Sequence, residues 1–378
     1  MKLKNVAAAG ALALATALAL SACGSNGDTG GSGDATKTPS AAPTVDYSSL
    51  SGTITAGGSS AQANAQAAWS AAFKGLGANV TINYDKSQGS GGGRTNWLGG
   101  SYDFAGTDSA LSPDEFTKAK TTCGADGGVN IPVYLSGVAV IYNLPGVDKL
   151  NLSADVIAKI FSGAIKTWND PAIAALNSGT TLPSSPIATV HRSDGSGTTN
   201  NFTSYLNQVA ASTWTNAPSN DWPYPNVGSG QQGGSGVVNT VTATANSIGY
   251  ADQSSIGKAS QADIQAGTSG STFVTYSAAG ATKAFDEAAQ DASQGAGDLT
   301  KKLDYTKISG ADAYPIPLLS YAVTCKTFKD ATQGKLTAAY LGFIGGKTGQ
   351  DVAEKNAGAA PLPASIQAEI AKTVALIK

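Results

Sequence analysis

Apolar runs of strand length alternate with helix-like stretches from about residue 50 to the C-terminus. The strand-like runs are residues 52–56, 79–84, 131–135 and 138–142. Residues 61–73 are rich in alanine, as is typical of a helix, and Ser153 and Asp170 stand at the N-cap positions of two more helices. Because strands separated by helices pair in shared sheets, this order predicts an α/β fold with two mixed sheets.

The first 22 residues have the pattern of a secretory signal peptide. Two lysines precede an apolar run from Val6 to Leu20, which is too short and too weakly flanked for a membrane-spanning helix. The ending Leu-Ser-Ala-Cys23 resembles a bacterial lipobox, in which Cys23 is lipidated; a plain signal peptide with a coincidental cysteine is the alternative. Residues 23–44 contain no large apolar side chain, so we expect a flexible tether that joins the body to a lipid anchor.

The composition of the full 378-residue chain excludes some functions. Only 13% of residues are charged and the formal net charge is −2, so no basic block is available to bind nucleic acid. One histidine and no closely spaced cysteine pair leave too few ligands for zinc, and no metal site is expected. Cys123 and Cys325 form an even pair in an exported chain, which permits a disulfide without establishing that they lie close together.

Residues 190–200 combine an arginine, hydroxyl groups and glycines between a strand-like and a helix-like run. Glycines let backbone N–H groups point at a ligand, Ser196 and Thr198 add hydroxyl donors, and the helix start adds partial positive charge. Arg192, one of two arginines in the sequence, supplies a planar fork that can bind an oxyanion through two hydrogen bonds. The segment therefore predicts an oxyanion cradle, with an ordinary Gly/Ser-rich turn as the alternative.

Three other segments place small residues or an acid at a strand end. They are residues 56–61, with Ser60 beside a helix start; residues 87–93, with Ser90; and residues 102–109, with Asp108 at the end of a short strand. Several such junctions, together with an arginine and a separate acid, suit one buried tetrahedral oxyanion.

At these segments the chain resembles the bacterial phosphate-binding lipoproteins of the phosphate-specific ABC transporter, the PstS family. The resemblance is carried by Gly58-Ser-Ser-Ala61, Gly89-Ser-Gly-Gly92, Asp103-Phe-Ala-Gly-Thr-Asp108 and Arg192-Ser-Asp-Gly-Ser-Gly-Thr198, in matching order over nearly the whole mature body. It implies a two-domain periplasmic-binding-protein fold (type II-like), with the ligand in the cleft between the domains. It also implies a high-affinity receptor that delivers inorganic phosphate to an ABC permease with its cytoplasmic ATPase, and neither an enzyme nor a cofactor protein.

The resemblance also assigns the residues that bind phosphate. They are Ser60, Ala61, Ser90, Asp108, Arg192, Ser196, Gly197 and Thr198, with Asp194 orienting the arginine. The family commonly has an aromatic residue where this chain has Ala61, so the wall on that side of the site is expected to differ.

Asp108 is the residue expected to determine specificity. A carboxylate beside a bound dianion is repulsive unless the ligand brings a proton to share, and phosphate near neutral pH carries a P–OH group. Sulfate has no such proton and would leave a buried acceptor unpaired, at a cost of about 1–3 kcal/mol or more. Asp108 is therefore expected to distinguish phosphate from sulfate.

The fold that the resemblance implies predicts the domain boundaries. Residues 45–143 plus 317–378 should form domain I and residues 144–316 domain II, closing around the ligand by a hinge motion. Cys123 and Cys325 both fall in domain I, near strands expected to be neighbours, so a disulfide is predicted. The mature protein is expected to be a monomer.

Other interpretations compete with this one. A phosphatase or serine hydrolase is disfavoured because the chain lacks Gly-x-Ser-x-Gly and enough metal ligands. Residues 342–348 resemble a nucleotide-binding phosphate loop but are one residue short and follow no clear strand. A receptor for another tetrahedral anion, or an adhesin that keeps the fold, remains open.

Arg94 is expected at the surface, His191 in a structural role, and residues 226–236 in a flexible connector.

Overall fold

The computed structural model describes residues 45–378. The predicted signal peptide (residues 1–22), the lipidation site Cys23 and the predicted tether (residues 23–44) lie outside the described residues. Within the described part, the strands are β1 Ser51–Gly58, β2 Asn79–Asp85, β3 Phe104–Thr107, β4 Gly128–Asn143, β5 Asn151–Leu152, β6 Ala188–Arg192, β7 Ser229–Gln231, β8 Ser247–Asp252, β9 Ser260–Gln261, β10 Asp263–Gln265, β11 Phe273–Val274, β12 Ala289–Asp291, β13 Lys301–Leu303 and β14 Pro317–Cys325. The helices are α1 Ala63–Gly75, α2 Gly89–Leu98, α3 Pro113–Cys123, α4 Ala154–Phe161, α5 Pro171–Leu176, α6 Gly197–Val209, α7 Gly233–Ala243, α8 Ala278–Ala288, α9 Ala331–Gly345, α10 Lys347–Ala357 and α11 Ala364–Val374.

A mixed sheet runs through the described residues in the order β2-β1-β3-β14-β4-β8-β6-β7, with β9 also beside β4. Strand β4 belongs to both halves of this sheet. Its residues up to Gly137 pair antiparallel with β14, and those from Val138 onward pair antiparallel with β8. We call the half that contains β1, β2, β3 and β14 lobe I, and the half that contains β6, β7 and β8 lobe II. The α/β fold predicted from the sequence is confirmed, and its two sheets are joined through one shared strand.

The strands at the centre are buried on both faces. All but the last residue of β4 and every residue of β14 are buried, because helices cover the two faces of the sheet. Large aromatic side chains fill the space between helices and sheet, including Trp69 and Tyr340 in lobe I and Phe202 in lobe II. This core gives the residues at the strand ends fixed positions.

Local signals in the sequence marked helix starts accurately. The Ser153 side chain accepts a hydrogen bond from the Val156 N–H at 3.3 Å, and the Asp170 side chain accepts one from the Ala172 N–H at 2.9 Å. Both predicted N-caps are therefore confirmed. Among residues 45–378, none of the helices combines the length and the apolar character that a membrane crossing requires.

The glycine run at residues 89–93 forms the first turns of α2 instead of a loop before a helix. Glycine is required here by packing, since a Cβ on Gly93 would lie 2.5 Å from the Cα of Gly58 at the end of β1. Because glycine has no side chain, the backbone of α2 can contact the backbone at the end of β1 directly, which a helix with a side chain at that position could not do.

Cys123 ends α3 and Cys325 ends β14, and the structure joins them in a disulfide with the two Cα atoms 5.2 Å apart. The bond links two elements of lobe I that are 202 residues apart in sequence. By closing so long a loop, it restricts the unfolded chain and favours the folded state.

Candidate functional site

Asp108 follows β3 and lies between the two lobes, with only 4% of its surface exposed. Its Oδ1 accepts hydrogen bonds from the hydroxyl groups of Ser59 at 2.5 Å and Ser320 at 2.6 Å. Its Oδ2 accepts one from the hydroxyl of Thr198 at 3.2 Å. Three hydroxyl donors, two from lobe I and one from lobe II, therefore converge on a single buried carboxylate.

Burial and hydrogen bonding act on this carboxylate in opposite directions. Burial raises the pKa of Asp108, because the charged form is poorly solvated in the protein interior. The hydroxyls of Ser320, Ser59 and Thr198 and the positive charge of Arg192 lower the pKa, but they offset the effect of burial only in part. Asp108 is therefore a carboxyl group whose affinity for a proton is above its ordinary value.

The end of β1 brings two serines to the site with different roles. Ser59 is almost fully buried and directs its hydroxyl at Asp108, while its oxygen accepts a hydrogen bond from the Ala61 N–H at 3.1 Å. Ser60, the serine predicted from the sequence, has its hydroxyl oxygen bonded to the Gly234 N–H of lobe II at 3.1 Å. Both predicted residues, Ser60 and Ala61, thus lie at the interface of the lobes.

Ser90 and Gly197 meet where the N-termini of α2 and α6 face each other. Ser90 is buried, and its hydroxyl oxygen accepts a hydrogen bond from the backbone N–H of Asp108 at 3.2 Å. A Cβ added to Gly197 would lie 2.6 Å from the Ser90 Oγ and 2.7 Å from the Asp108 Cβ. Only glycine allows the two lobes to approach this closely at that point.

Arg192 ends β6, and its guanidinium group is almost fully buried beside Asp194. Its Nε donates to the Asp194 Oδ1 at 2.7 Å and its Nη2 donates to Oδ2, so the pair is bidentate. Asp194 also accepts a hydrogen bond from the Gly233 N–H at 3.0 Å. Burial raises the pKa of Asp194, but the hydrogen bonds and charge of Arg192 outweigh it, so the pKa is below its ordinary value.

Ser196 is the N-cap of α6, and its hydroxyl oxygen accepts a hydrogen bond from the Thr199 N–H at 3.1 Å. The next two residues, Gly197 and Thr198, begin the helix, where backbone N–H groups have no carbonyl one turn earlier to bond. These N–H groups and the helix dipole give the site partial positive charge. The site therefore combines donors from the first turn of a helix with a buried guanidinium.

The structure places Arg94 differently from the sequence interpretation. Instead of lying at the surface, Arg94 is 6% exposed, and its Nε donates to Glu115 at 2.8 Å. Its Nη1 donates to the hydroxyls of Thr107 and Ser109, the residues on either side of Asp108, at 2.8 Å each. The expectation of a surface or steering role followed from Arg94 matching no binding position of the family, and it was wrong because Arg94 is paired inside lobe I, where it fixes the loop that carries Asp108.

His191 points away from the site. Its ring stacks on Trp222 with centroids 4.8 Å apart, and its Nδ1 lies 2.9 Å from the carbonyl oxygen of Arg192. Burial lowers the pKa of His191, which favours its neutral form. These contacts agree with a structural role.

Residues 226–236 were expected to form a flexible connector, and here the prediction was wrong. They contain β7 and the start of α7, and three of them contact the site or the opposite lobe. Gly233 and Gly234 donate their N–H groups to Asp194 and Ser60, and the Gln232 side chain donates to the Ser87 carbonyl at 2.8 Å. Local composition indicated a turn, but it carried no information about these contacts across the lobes.

Sequence reasoning also missed Ser59 and Ser320. Ser320 is fully buried in the apolar strand β14, and an isolated hydroxyl in such a strand was the one available signal that it has a polar partner. Ser59 was passed over because the matching position of the family motif is its neighbour.

The geometry supports neither the nucleotide-binding interpretation of residues 342–348 nor a phosphatase that depends on a metal. Residues 342–348 span the end of α9 and the start of α10, so no strand leads into them as it would in a phosphate loop. Within residues 45–378, no three or more His, Cys, Asp or Glu side chains cluster closely enough to hold a metal ion.

Comparison with known proteins identifies related chains. The model of the PBP superfamily domain matches residues 16–346. The chain is 35% identical to the phosphate-binding protein PstS 3 of Mycobacterium leprae over 98% of each protein, and 35% identical to the phosphate-binding protein PstS of Xylella fastidiosa over 72% of each. A solved phosphate-binding protein from Stenotrophomonas maltophilia superposes with a TM-score of 0.64 at 21% identity, covering 85% of this chain and 93% of that one. The fold is the two-domain mixed α/β fold of the periplasmic binding proteins.

Proposed function

This chain belongs to the PBP superfamily and, within it, to the PstS phosphate-binding proteins, and we propose that it binds inorganic phosphate between its two lobes. The observation that carries the proposal is the position of Asp108. One buried carboxylate lies where the hydroxyls of lobe I, the first turn of α6 and the guanidinium of Arg192 meet. A receptor of this kind binds its ligand without transforming it, so we assign no catalytic residue.

The donors and acceptors of the site match those of hydrogen phosphate. Its three unprotonated oxygens accept hydrogen bonds from the hydroxyls of Ser60, Ser90 and Ser196 and from the N–H groups of Gly197 and Thr198. The Thr198 hydroxyl stays on Asp108, and the Ala61 N–H is shared between the Ser59 hydroxyl oxygen and the anion. Arg192 offsets the anionic charge, and Asp194 holds its guanidinium in orientation. The protonated oxygen donates to Asp108, which is the one acceptor in the set.

This arrangement would favour phosphate over sulfate. Sulfate has no proton to donate, so it would face the Asp108 carboxylate with two like charges and an unpaired acceptor. Phosphate satisfies the same acceptor. We therefore assign to Asp108 the selection of phosphate over sulfate.

The receptor is proposed to have two lobes and to work at the cell membrane. We take residues 45–143 plus 317–378 as lobe I and residues 144–316 as lobe II, with the part of β4 from Val138 onward completing the sheet of lobe II. A ligand that contacts both lobes favours the closed form. The mature chain is a monomer, anchored through lipidated Cys23 to the outer face of the cell membrane. From there it delivers phosphate to an ABC permease and its cytoplasmic ATPase.

Calorimetric titration of the purified protein, stripped of bound anion, tests the proposal. We expect one phosphate per chain and a much weaker response to sulfate. In the Asp108→Asn variant, the amide can donate to sulfate, so the ratio of phosphate to sulfate affinity should fall by about tenfold to a hundredfold, corresponding to about 1–3 kcal/mol.

Asp103→Asn is the matched control, since Asp103 lies in the same segment and its side chain accepts from the Thr55 N–H at 2.7 Å, away from the site. Equal binding of phosphate and sulfate by the unmodified protein would contradict the role given to Asp108. No binding of either anion would contradict the receptor function itself.

A further inference from the structure

A chain of hydrogen bonds leads from the core of lobe I to Asp108. The Tyr340 hydroxyl donates to the Gln66 Oε1 at 2.8 Å, and the Gln66 Nε2 donates to the Gln62 Oε1 at 2.9 Å. The Gln62 Nε2 donates to the Ser320 Oγ at 2.7 Å, and the Ser320 hydroxyl donates to the Asp108 Oδ1 at 2.6 Å. All five side chains are buried, and every donor points towards the carboxylate.

The donor and acceptor roles of these side chains fix the direction in which this series of hydrogen bonds runs. The Gln62 Nε2 also donates to the carbonyl oxygen of Tyr321 at 2.9 Å, so its amide cannot be reversed without placing an oxygen against another acceptor. Because the Ser320 oxygen receives an N–H, its own hydrogen is free to point at Asp108. Ser59 is held in the same way, since its oxygen receives the Ala61 N–H and its hydroxyl donates to the same Oδ1.

Two hydroxyl donors on one carboxylate oxygen make the two oxygens of Asp108 unequal. Oδ1 is occupied by donors that stabilise negative charge and leave no room for a proton. Oδ2 has the Thr198 hydroxyl at 3.2 Å as its donor, and that hydroxyl belongs to lobe II. A proton brought by a ligand between the lobes can therefore be accepted at Oδ2 alone.

We propose that Ser320, oriented by Gln62, is a positioning residue that determines anion specificity by holding Asp108 as a carboxylate with Oδ2 directed at the ligand. The inference rests on the proposed phosphate-binding function and extends it to residues outside the set that contacts the anion. Ser320 acts through Asp108 and does not itself contact phosphate.

The charged and titratable groups around Asp108 are few. Arg192, paired with Asp194, faces it from lobe II, and Tyr84 of β2 donates its hydroxyl to the Ser59 carbonyl at 2.8 Å. Arg94, paired with Glu115, binds the residues on either side of it. The other side chains that contact Asp108 are uncharged: the hydroxyls of Ser59, Ser320 and Thr198 at its carboxylate, the Ser90 hydroxyl at its backbone N–H and the Asn201 amide at its backbone carbonyl. Ser320 and Ser59 are therefore the donors of lobe I that oppose its protonation.

Removal of the Ser320 hydroxyl should make Asp108 easier to protonate. Burial already raises the pKa of Asp108, and Ser320 is the strongest of the contacts that lower it. A protonated Asp108 becomes a donor, which suits sulfate and is less suited to the P–OH of phosphate. The loss of selectivity should therefore increase as the pH falls.

The test is titration of the mature protein with phosphate and with sulfate at about pH 5 and about pH 8, so that a carboxyl group that is easier to protonate shows itself as a larger difference at the lower pH. In Ser320→Ala, we expect the phosphate-to-sulfate affinity ratio to fall by about tenfold at the higher pH and further at the lower pH, as when one hydrogen bond to a charged group is lost. Ser320→Thr keeps the hydroxyl and should restore the ratio.

Thr324→Ala is the matched control, because Thr324 is also fully buried in β14 and its hydroxyl donates to the Asp103 carbonyl at 2.8 Å, away from the site. Gln62→Met is the second variant, which leaves Ser320 in place but removes the N–H that orients it, and it should change the ratio in the same direction. It keeps the test decisive if Ser320→Ala fails to fold.

The outcomes separate the inference from the function on which it rests. An unchanged ratio at both pH values in Ser320→Ala and Gln62→Met, with tight phosphate binding retained, would overturn the role of Ser320 and leave the receptor function intact. An equal loss in Thr324→Ala would also overturn it, since any buried hydroxyl of the strand would then have the same effect. Absence of phosphate binding in the unmodified protein would overturn the function, and the inference with it.

Discussion

The hydroxyl of Thr198, in the first turn of α6, donates to the Oδ2 of Asp108 across the boundary between the lobes, at 3.2 Å. Asp108 in turn accepts at its backbone carbonyl from the Asn201 side chain of the same helix, at 2.6 Å. The N-terminus of α6 is therefore fastened to the loop after β3 through both the side chain and the main chain. Contact between these two segments is the structural condition for a site made by both lobes.

Gly197→Ala should prevent this contact. The added Cβ would lie within 2.7 Å of both Ser90 and Asp108, too close for the lobes to remain at their present separation. Overpacking of this kind costs about 1–3 kcal/mol, so phosphate affinity should fall by about tenfold or more. Calorimetry measures the affinity, and small-angle scattering should show a larger radius of gyration with phosphate present.

Gly75→Ala is the control for Gly197→Ala. Gly75 ends α1, and a Cβ there would meet no atom within 4 Å. This variant should bind phosphate as the unmodified protein does. If Gly197→Ala also retained full affinity and the compact form, the close approach of α6 to Asp108 would not be needed for binding.

Arg192→Lys should weaken phosphate binding although it keeps the positive charge. Lysine cannot reproduce the planar fork whose Nε and Nη2 both bond to Asp194, so neither the pair nor the orientation of the charge is maintained. Loss of one hydrogen bond to a charged group corresponds to about 1.5–3 kcal/mol, or about tenfold to a hundredfold in affinity. Titration with phosphate measures this change.

The other arginine provides the comparison. Arg94→Lys breaks a similar buried pair with Glu115, but that pair lies inside lobe I. We expect it to lower the free energy of unfolding and to weaken phosphate binding less than Arg192→Lys does, because Arg94 affects the site only through the loop that carries Asp108. Equal loss of affinity in the two variants would mean that Arg192 contributes only through the stability of the fold.

Asp252→Asn should change how stability depends on pH. Asp252 lies opposite Val138, its Oδ1 accepts from the Tyr134 hydroxyl at 3.0 Å, and its Oδ2 has no partner among the described residues. Burial raises the pKa of Asp252 to about 6. In the unfolded chain an aspartate titrates near pH 4, so between about pH 4 and 6 the folded form holds a proton that the unfolded form has released.

The stability contributed by this group is thus present at low pH and lost as the pH rises through that window. Two pKa units correspond to about 3 kcal/mol. The free energy of unfolding of Asp252→Asn minus that of the unmodified protein should therefore be about 3 kcal/mol larger at about pH 8 than at about pH 4. Urea unfolding measures it, with the exposed Asp148→Asn as control. Parallel curves for Asp252→Asn and the unmodified protein would refute the assignment.

The features of the fold and of the site that the sequence predicts are those that depend on contacts between residues close together in the chain. Ser153 and Asp170 were placed correctly because an N-cap bonds to an N–H only two or three residues away. Asp108 and Arg192 were predicted through motif resemblance, which stands in for long-range contacts that local patterns do not contain. Ser320 lies 212 residues from Asp108, and its only distinctive feature in the sequence is that its neighbours are apolar. Its contact with Asp108 follows from the pairing of β14 with β3 and β4.

The glycine-rich segments failed as predictors for a different reason. Residues 89–93 and 226–236 both have the composition of loops, yet the first forms a helix packed on β1 and the second binds across the lobes. In the first segment Gly93 allows the backbones to approach closely, whereas in the second Gly228 and Gly233 have positive φ angles, and Gly233 and Gly234 donate their N–H groups to Asp194 and Ser60. Composition cannot distinguish these uses, because the neighbour that requires the small residue lies far away in the chain.

Strand β4 belongs to the sheets of both lobes, with no loop at Gly137 and Val138 where its partner changes. Neither lobe can then lose its central strand while the other stays folded. Heating should therefore melt the protein in a single transition, despite its two-lobed shape. The same continuity means that any swing of one lobe against the other would have to bend a hydrogen-bonded strand, so the energy needed to open or close the cleft would be set by the stiffness of β4.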